Sequence, residues 1–168
     1  MLNGRYFKEV ETLEDLKRQY RTLAMKNHPD RGGDVELMKA INHEYDEFFK
    51  MVKNTHKTAE GKTYTKENKE TAGQFKDIIE KLIKMEGVEI EIIGCFIWLS
   101  GNTKPHKEAI KELGFIWHSK KRMWYKKPEG YRKKSRKDYS MNEIRDMYGS
   151  SGTFTGKGSK EEHKELGE

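Results

Sequence analysis

The stretch LEDLKRQYRTLAMKNHPDRGGDVELMKAINHEYDEFF, residues 13–49, decides how the first part of this chain folds. Leu13, Leu16, Tyr20, Leu23 and Ala24 recur at helical spacing. Leu37, Met38, Ile41, Tyr45 and Phe48 make a second apolar stripe after a polar interruption. Two amphipathic helices joined by a short polar loop pack as an antiparallel hairpin, and His28-Pro29-Asp30 then stands at its tip.

The local chemistry agrees. Thr12 with Asp15 three residues on is a helix N-cap pattern. Pro29 disfavours helical geometry at the residue before it, so the first helix stops near Asn27. Gly32 and Gly33 let the chain reverse, and Asp34 caps the next helix. Upstream, Tyr6, Phe7 and Val10 are expected to form a short turn of helix across the hairpin.

Hydrophobic residues at 33% and charged residues at 37% of 168 do not fill one large core; two small domains fit better. No apolar run approaches the ~20 residues of a membrane span, and MLNGRYFKEV lacks a signal-peptide stretch. Cys95 is the only cysteine, so no intramolecular disulfide and no cysteine-rich zinc module is expected. A reducing cytoplasm is the expected compartment. His28, His43, His56, His106, His118 and His163 are scattered, and neither a metal site, a cofactor nor a catalytic group is expected.

Charge divides the chain. Residues 1–50 hold nine Lys/Arg against ten Asp/Glu, whereas residues 102–139 hold thirteen against four, a net of +9. The two halves therefore offer different surfaces to different partners.

Residues 53–72 have almost no apolar periodicity and read as a linker between a domain at 1–52 and a basic α+β module at 73–149. In that module Phe75, Ile78, Ile79, Leu82 and Ile83 share one face of a helix from Gln74 to Met85. VEIEII and CFIWLS read as strands around Gly94, and Pro105 opens a helix to Leu113 with Thr103 as its cap. FIWHS and MWYKK form a hairpin, and Ser140 with Glu143 starts a last short helix. The order is α-β-β-α-β-β-α, followed by a tail at 150–168 expected to be disordered.

With HPD at the tip of such a hairpin, residues 4–50 resemble the J-domain of DnaJ-type co-chaperones. The resemblance implies an all-α fold and no ATPase activity in this chain itself, but stimulation of ATP hydrolysis by a DnaK-type (Hsp70) chaperone. Lys17, Arg18, Arg21 and Lys26 would form a basic face that steers association with an acidic surface on the chaperone. His28, Pro29 and Asp30 would engage the junction of its nucleotide and substrate domains, Asp30 by accepting an arginine fork. Surface charges carry little stability, so Arg21→Glu is expected to leave the melting temperature nearly unchanged. Thr22 departs from the family, where many members have a second basic residue. The short RGGD loop is similar to that of viral and organelle-import co-chaperones.

The segment HKEAIKELGFIWHSKKRMWYKKPEGY is similar to small phage- and plasmid-associated modules and, more faintly, to the HARP domain of DNA-annealing helicases. Aromatic rings stack bases and cations track phosphates, so Trp98, Trp117 and Trp124 with Lys104, Lys107, Lys120, Lys121, Arg122 and Lys126 are candidates for single-stranded nucleic acid. In so small a module the same tryptophans are also candidates for the core. The combined expectation is a co-chaperone adaptor whose basic module selects a nucleic acid or nucleoprotein client, as in a mobile-element protein borrowing a host chaperone. The alternatives are a nucleic-acid-binding protein with a relic hairpin, or an inhibitor or assembly factor docking on an acidic protein.

Overall fold

Helix α1, Leu13–Asn27, begins where the sequence says it should. In the computed structural model, which describes residues 1–58, 60–94, 96–128 and 137–148 and the backbone of 153–154 and 160–161, Thr12 Oγ1 accepts from the Asp15 amide at 3.2 Å. The Asp15 carboxylate accepts the Thr12 amide at 3.2 Å in return, closing a capping box. The helix ends at Asn27 because His28, ahead of Pro29, is extended at φ −66° and ψ 137°. Pro29–Arg31 is a single 3₁₀ turn, and α2 follows at Val35–Val52 with Asp34 accepting from the Glu36 amide at 2.8 Å. A Cβ on Gly33 would overlap the Asn27 carbonyl, so the reversal needs glycine there.

The expected helical turn at Tyr6–Val10 does not form. Leu2 and Val10 make an antiparallel bridge instead, and the Glu44 carboxylate on α2 accepts the amides of Arg5, Tyr6 and Phe7 at 2.7, 2.8 and 2.8 Å. A side chain outside the segment thus satisfies these amides. Phe7 and Val10 are buried all the same and close the hairpin core with Leu16, Tyr20, Ile41 and Tyr45.

Residues 53–72 also depart from the expected linker. Thr55–Lys57 (β1) pairs with Thr63–Thr65 (β2), and His56 Nδ1 lies 2.9 Å from Glu14 Oε1 on α1. Helix α3 then runs over Ala72–Ile83, with the Thr71 amide donating to Gln74 Oε1 at 2.9 Å. The chain divides into Met1–Lys84 and Met85–Glu168, so the domain start expected at residue 73 moves to residue 85. The cause is Phe75. Its ring is 1% exposed, with its centroid 6.0 Å from Tyr20 and 6.3 Å from Tyr45, and the apolar face of α3 completes the hairpin core.

In the second unit, β3 (Val88–Ile93), β4 (Phe96–Gly101), β5 (Ile116–His118) and β6 (Met123–Lys126) form an antiparallel sheet in the order β3-β4-β6-β5. The register sets Ile90 opposite Leu99, Leu99 opposite Trp124 and Trp124 opposite Trp117 on one face. Glu91, Trp98 and Tyr125 line up on the other.

A 3₁₀ turn at Lys104–His106 leads into α4, Lys107–Glu112, whose Ile110 is fully buried. Thr103 is helical and makes no cap hydrogen bond, contrary to expectation. Helix α5, Met141–Tyr148, opens on Ser140 and Glu143 and packs Met141 and Ile144 against Ile93, Trp98 and Met123. Its Arg145 grips the Glu91 carboxylate at 2.7 and 2.8 Å. Cys95 and, apart from a short backbone ladder of 153–154 with 160–161, the tail at 150–168 lie outside the described residues.

Candidate functional site

The tip of the first unit is built around His28. Its Nδ1 accepts the Asp30 amide at 3.1 Å, which places the ring proton on Nε2, 3.4 Å from Glu80 on α3. The ring is therefore folded inward, 6% exposed, and shapes the turn, while Pro29 and Asp30 project into solvent. This redistributes the expected roles: Pro29 and Asp30 are presented, and His28 holds them.

The expected basic face of α1 divides likewise. Lys26 is exposed, and Arg18 is half-buried against Asp15. Lys17 is largely buried and Arg21 wholly so. Lys17 is 2.7 Å from Glu70 and sits over the Phe75 ring at 5.1 Å, and Arg21 is fully buried. Both had been expected on an open face. For Lys17 the cause is the segment at Glu70–Phe75, which lies against α1.

Burial has a second signature here. It pushes the Tyr20 and Tyr45 hydroxyls well above the ordinary tyrosine range, helped at Tyr20 by Glu80 and at Tyr45 by Glu70. Tyr20 Oη still donates to Asn42 Oδ1 at 2.8 Å.

The candidate nucleic-acid residues of the second unit also separate. Trp98 and Trp124 are 4% and 5% exposed, which removes both as stacking platforms. Trp117 is 45% exposed on the edge strand β5, its ring held edge-on by Trp124 at 5.4 Å, and Ile116 beside it is similarly open. Lys104, Lys107 and Arg122 are exposed. Lys126 is drawn in to donate to the Leu113 carbonyl at 2.9 Å, satisfying the end of α4. Lys120 and Lys121 lie 3.2 and 3.5 Å from Asp138, whose carboxyl the Lys120 hydrogen bond and Lys121 charge hold below its usual range. Arg132, Lys133, Lys134 and Arg136, part of the basic excess, lie outside the described residues.

Three groups that organise these surfaces were missed in the sequence: Glu44, the His56–Glu14 pair, and the acids Glu70 and Glu80. The last had a signal. Glu70 and Glu80 are spaced much as Lys17 and His28 are, which suits two chain segments running alongside one another.

Similarity to known proteins is found over about 35 residues of the N-terminal part. The DnaJ protein homolog 2 of Allium porrum is 57% identical over 35 residues, which is 21% of this chain and 8% of that protein. The small t antigen of Budgerigar fledgling disease virus is 51% identical over 37 residues, 22% of this chain and 26% of the antigen. The chaperone protein dnaJ 2 of Arabidopsis thaliana is 52% identical over 33 residues. These matches place the N-terminal segment in the J-domain family. They cover about a fifth of the chain, which in turn spans only 8% of the DnaJ homologues it matches. No family model matches the chain, and no solved structure matches it.

Proposed function

We propose that this protein is a J-domain co-chaperone that stimulates ATP hydrolysis by a DnaK-type chaperone and directs it, through the basic second unit, to a nucleic acid or nucleoprotein client. The observation that carries the first part is the tip itself. Pro29 and Asp30 stand exposed on a 3₁₀ turn fixed by the His28 ring, at the end of a helical hairpin in a segment of the J-domain family. A carboxylate so presented accepts an arginine fork at little ordering cost. The chain acts in the cytoplasm beside the chaperone, and ATP is hydrolysed by the chaperone.

Support for the second part is one open indole, Trp117, on a unit whose Lys104, Lys107 and Arg122 remain in solvent. Two binding measurements on the whole chain test the proposal. An immobilised ATP-loaded DnaK-type chaperone should bind the wild type and lose Asp30→Asn. A labelled single-stranded oligonucleotide should bind with an affinity that falls linearly with salt on logarithmic axes. Equal binding of wild type and Asp30→Asn would leave the hairpin a relic. Absence of oligonucleotide binding at low salt would favour an acidic protein as the client.

A further inference from the structure

The face of α1 that carries Lys17, Arg21 and His28 is the face on which α3 lies. At one end Glu70, just before α3, pairs with Lys17 at 2.7 Å. At the other, Glu80 meets His28 at 3.4 Å and the Ile83 carbonyl accepts from Arg31 at 3.2 Å. Between them Phe75, Ile79 and Leu82 are buried, and Lys76 pairs with Asp46 on α2 at 2.6 Å. Lys17 and His28, two of the seven residues expected to meet a chaperone, are thereby in contact with this segment, and Arg21 on the same side of α1 is fully buried.

We infer that α3 is an intramolecular lid, which competes with the chaperone for this face and leaves it when the chaperone engages fully. The inference rests on the co-chaperone reading and adds a regulated step to it. The tip stays accessible while the lid is closed, so Pro29 and Asp30 make first contact. Release of α3 then frees His28, Lys17 and Arg21.

The physics of α3 suits a lid. It is a 12-residue helix, near the length at which isolated helices are marginal in water, so its order comes from docking. Its contacts mix an apolar seam with the Lys17–Glu70 ion pair at one end and the His28 Nε2–Glu80 contact at the other, and a cationic chaperone side chain could not replace Glu70 or Glu80, whereas an acidic one could. Glu70 and Glu80 therefore occupy the positions an acidic chaperone surface would take. A lid open in one molecule out of ten lowers apparent affinity by about tenfold, and opening it restores that factor.

Two variants of the full chain open the lid in different ways. Ile79→Ala removes apolar contact in the seam. Glu80→Arg, at a position more than half exposed, puts a cation beside His28 without touching the core. Both should raise stimulation of ATP hydrolysis at sub-saturating concentration by about threefold or more. Asp30→Asn in either background should abolish it. A synthetic peptide of residues 68–86 added in trans should suppress the gain.

Hydrogen exchange on the wild type gives a readout independent of folding defects in the variants. Adding excess ATP-loaded DnaK-type chaperone should speed exchange in 72–83 while α1 and α2 stay protected. Protection of 72–83 that holds or rises in the complex overturns the lid, as does unchanged stimulation by both variants with α1 and α2 still protected. If wild type and Asp30→Asn are equally inert in every background and no complex forms, the co-chaperone reading itself fails, which is a distinct result.

Discussion

Lys17 and Lys107 are both helical lysines, yet the first is closed in by Glu70 and Phe75 and the second stands in solvent. The difference is not in their immediate neighbours. In the first unit a third helix brings acids and an aromatic ring onto the cationic side of the first. In the second unit the cations of the Lys104–Glu112 segment keep their outer side open, and the ring that joins them in solvent is Trp117. A basic stripe reads alike whether it waits for a partner or for its own chain. An element with acids at matching spacing tells the two cases apart.

The largest effect that would sharpen this contrast is at Arg21. Because its side chain is fully buried, Arg21→Glu should cost unit one about 3–5 kcal/mol, reversing the expectation of a silent surface change. Lys107→Glu should stay within about 0.5 kcal/mol. Chemical denaturation followed by circular dichroism measures both, and similar costs would erase the distinction between buried and open cations.

The tryptophans give a second contrast of nearly the same size. Trp98→Ala should destabilise the sheet unit by about 3–5 kcal/mol. Trp117→Ala should leave stability nearly intact and weaken oligonucleotide binding by about 1–3 kcal/mol. Fluorescence quenching on titration should vanish with Trp117 alone. Quenching that survives in Trp117→Ala would contradict the assignment.

Alkali should act on the first unit through Tyr20 and Tyr45. Their hydroxyls ionise more readily in the unfolded chain than when buried, so the stability they lend is complete below pH ~10 and is lost as pH rises above it. Absorbance at the tyrosinate band should show two of the eight tyrosines appearing only with loss of helix. The smallest effect belongs to His118, where burial and then Lys121 hold the imidazole below its usual value. The unfolded chain takes up that proton first as pH falls through ~6.5, so the sheet unit is steadier above that value and slightly weaker below it. His118→Gln should flatten this slope.

The parts legible in the sequence were those decided within a few residues: the Thr12–Asp15 cap, the stop before Pro29, the Asp34 cap, the period of two from Val88, and the Ser140–Glu143 start. The placement of α3 was not among them. Its amphipathic face was plain, but an apolar stripe does not name the surface it covers, and Phe75 found Tyr20 and Tyr45. The hairpin at 55–65 was hidden for a related reason, since its strands are short and polar and one anchor is Glu14, 42 residues away from His56. The exposed tip could be located from sequence, whereas the inward turn of His28, held by the Asp30 amide and facing Glu80, was not expected.

The most direct test of the account is single-turnover ATP hydrolysis by a DnaK-type chaperone with wild type and with Asp30→Asn, whose side chain is exposed and so should not disturb the fold. The wild type should accelerate hydrolysis, and Asp30→Asn, equally folded by circular dichroism, should not. Identical rates for the two proteins with several such chaperones would contradict it.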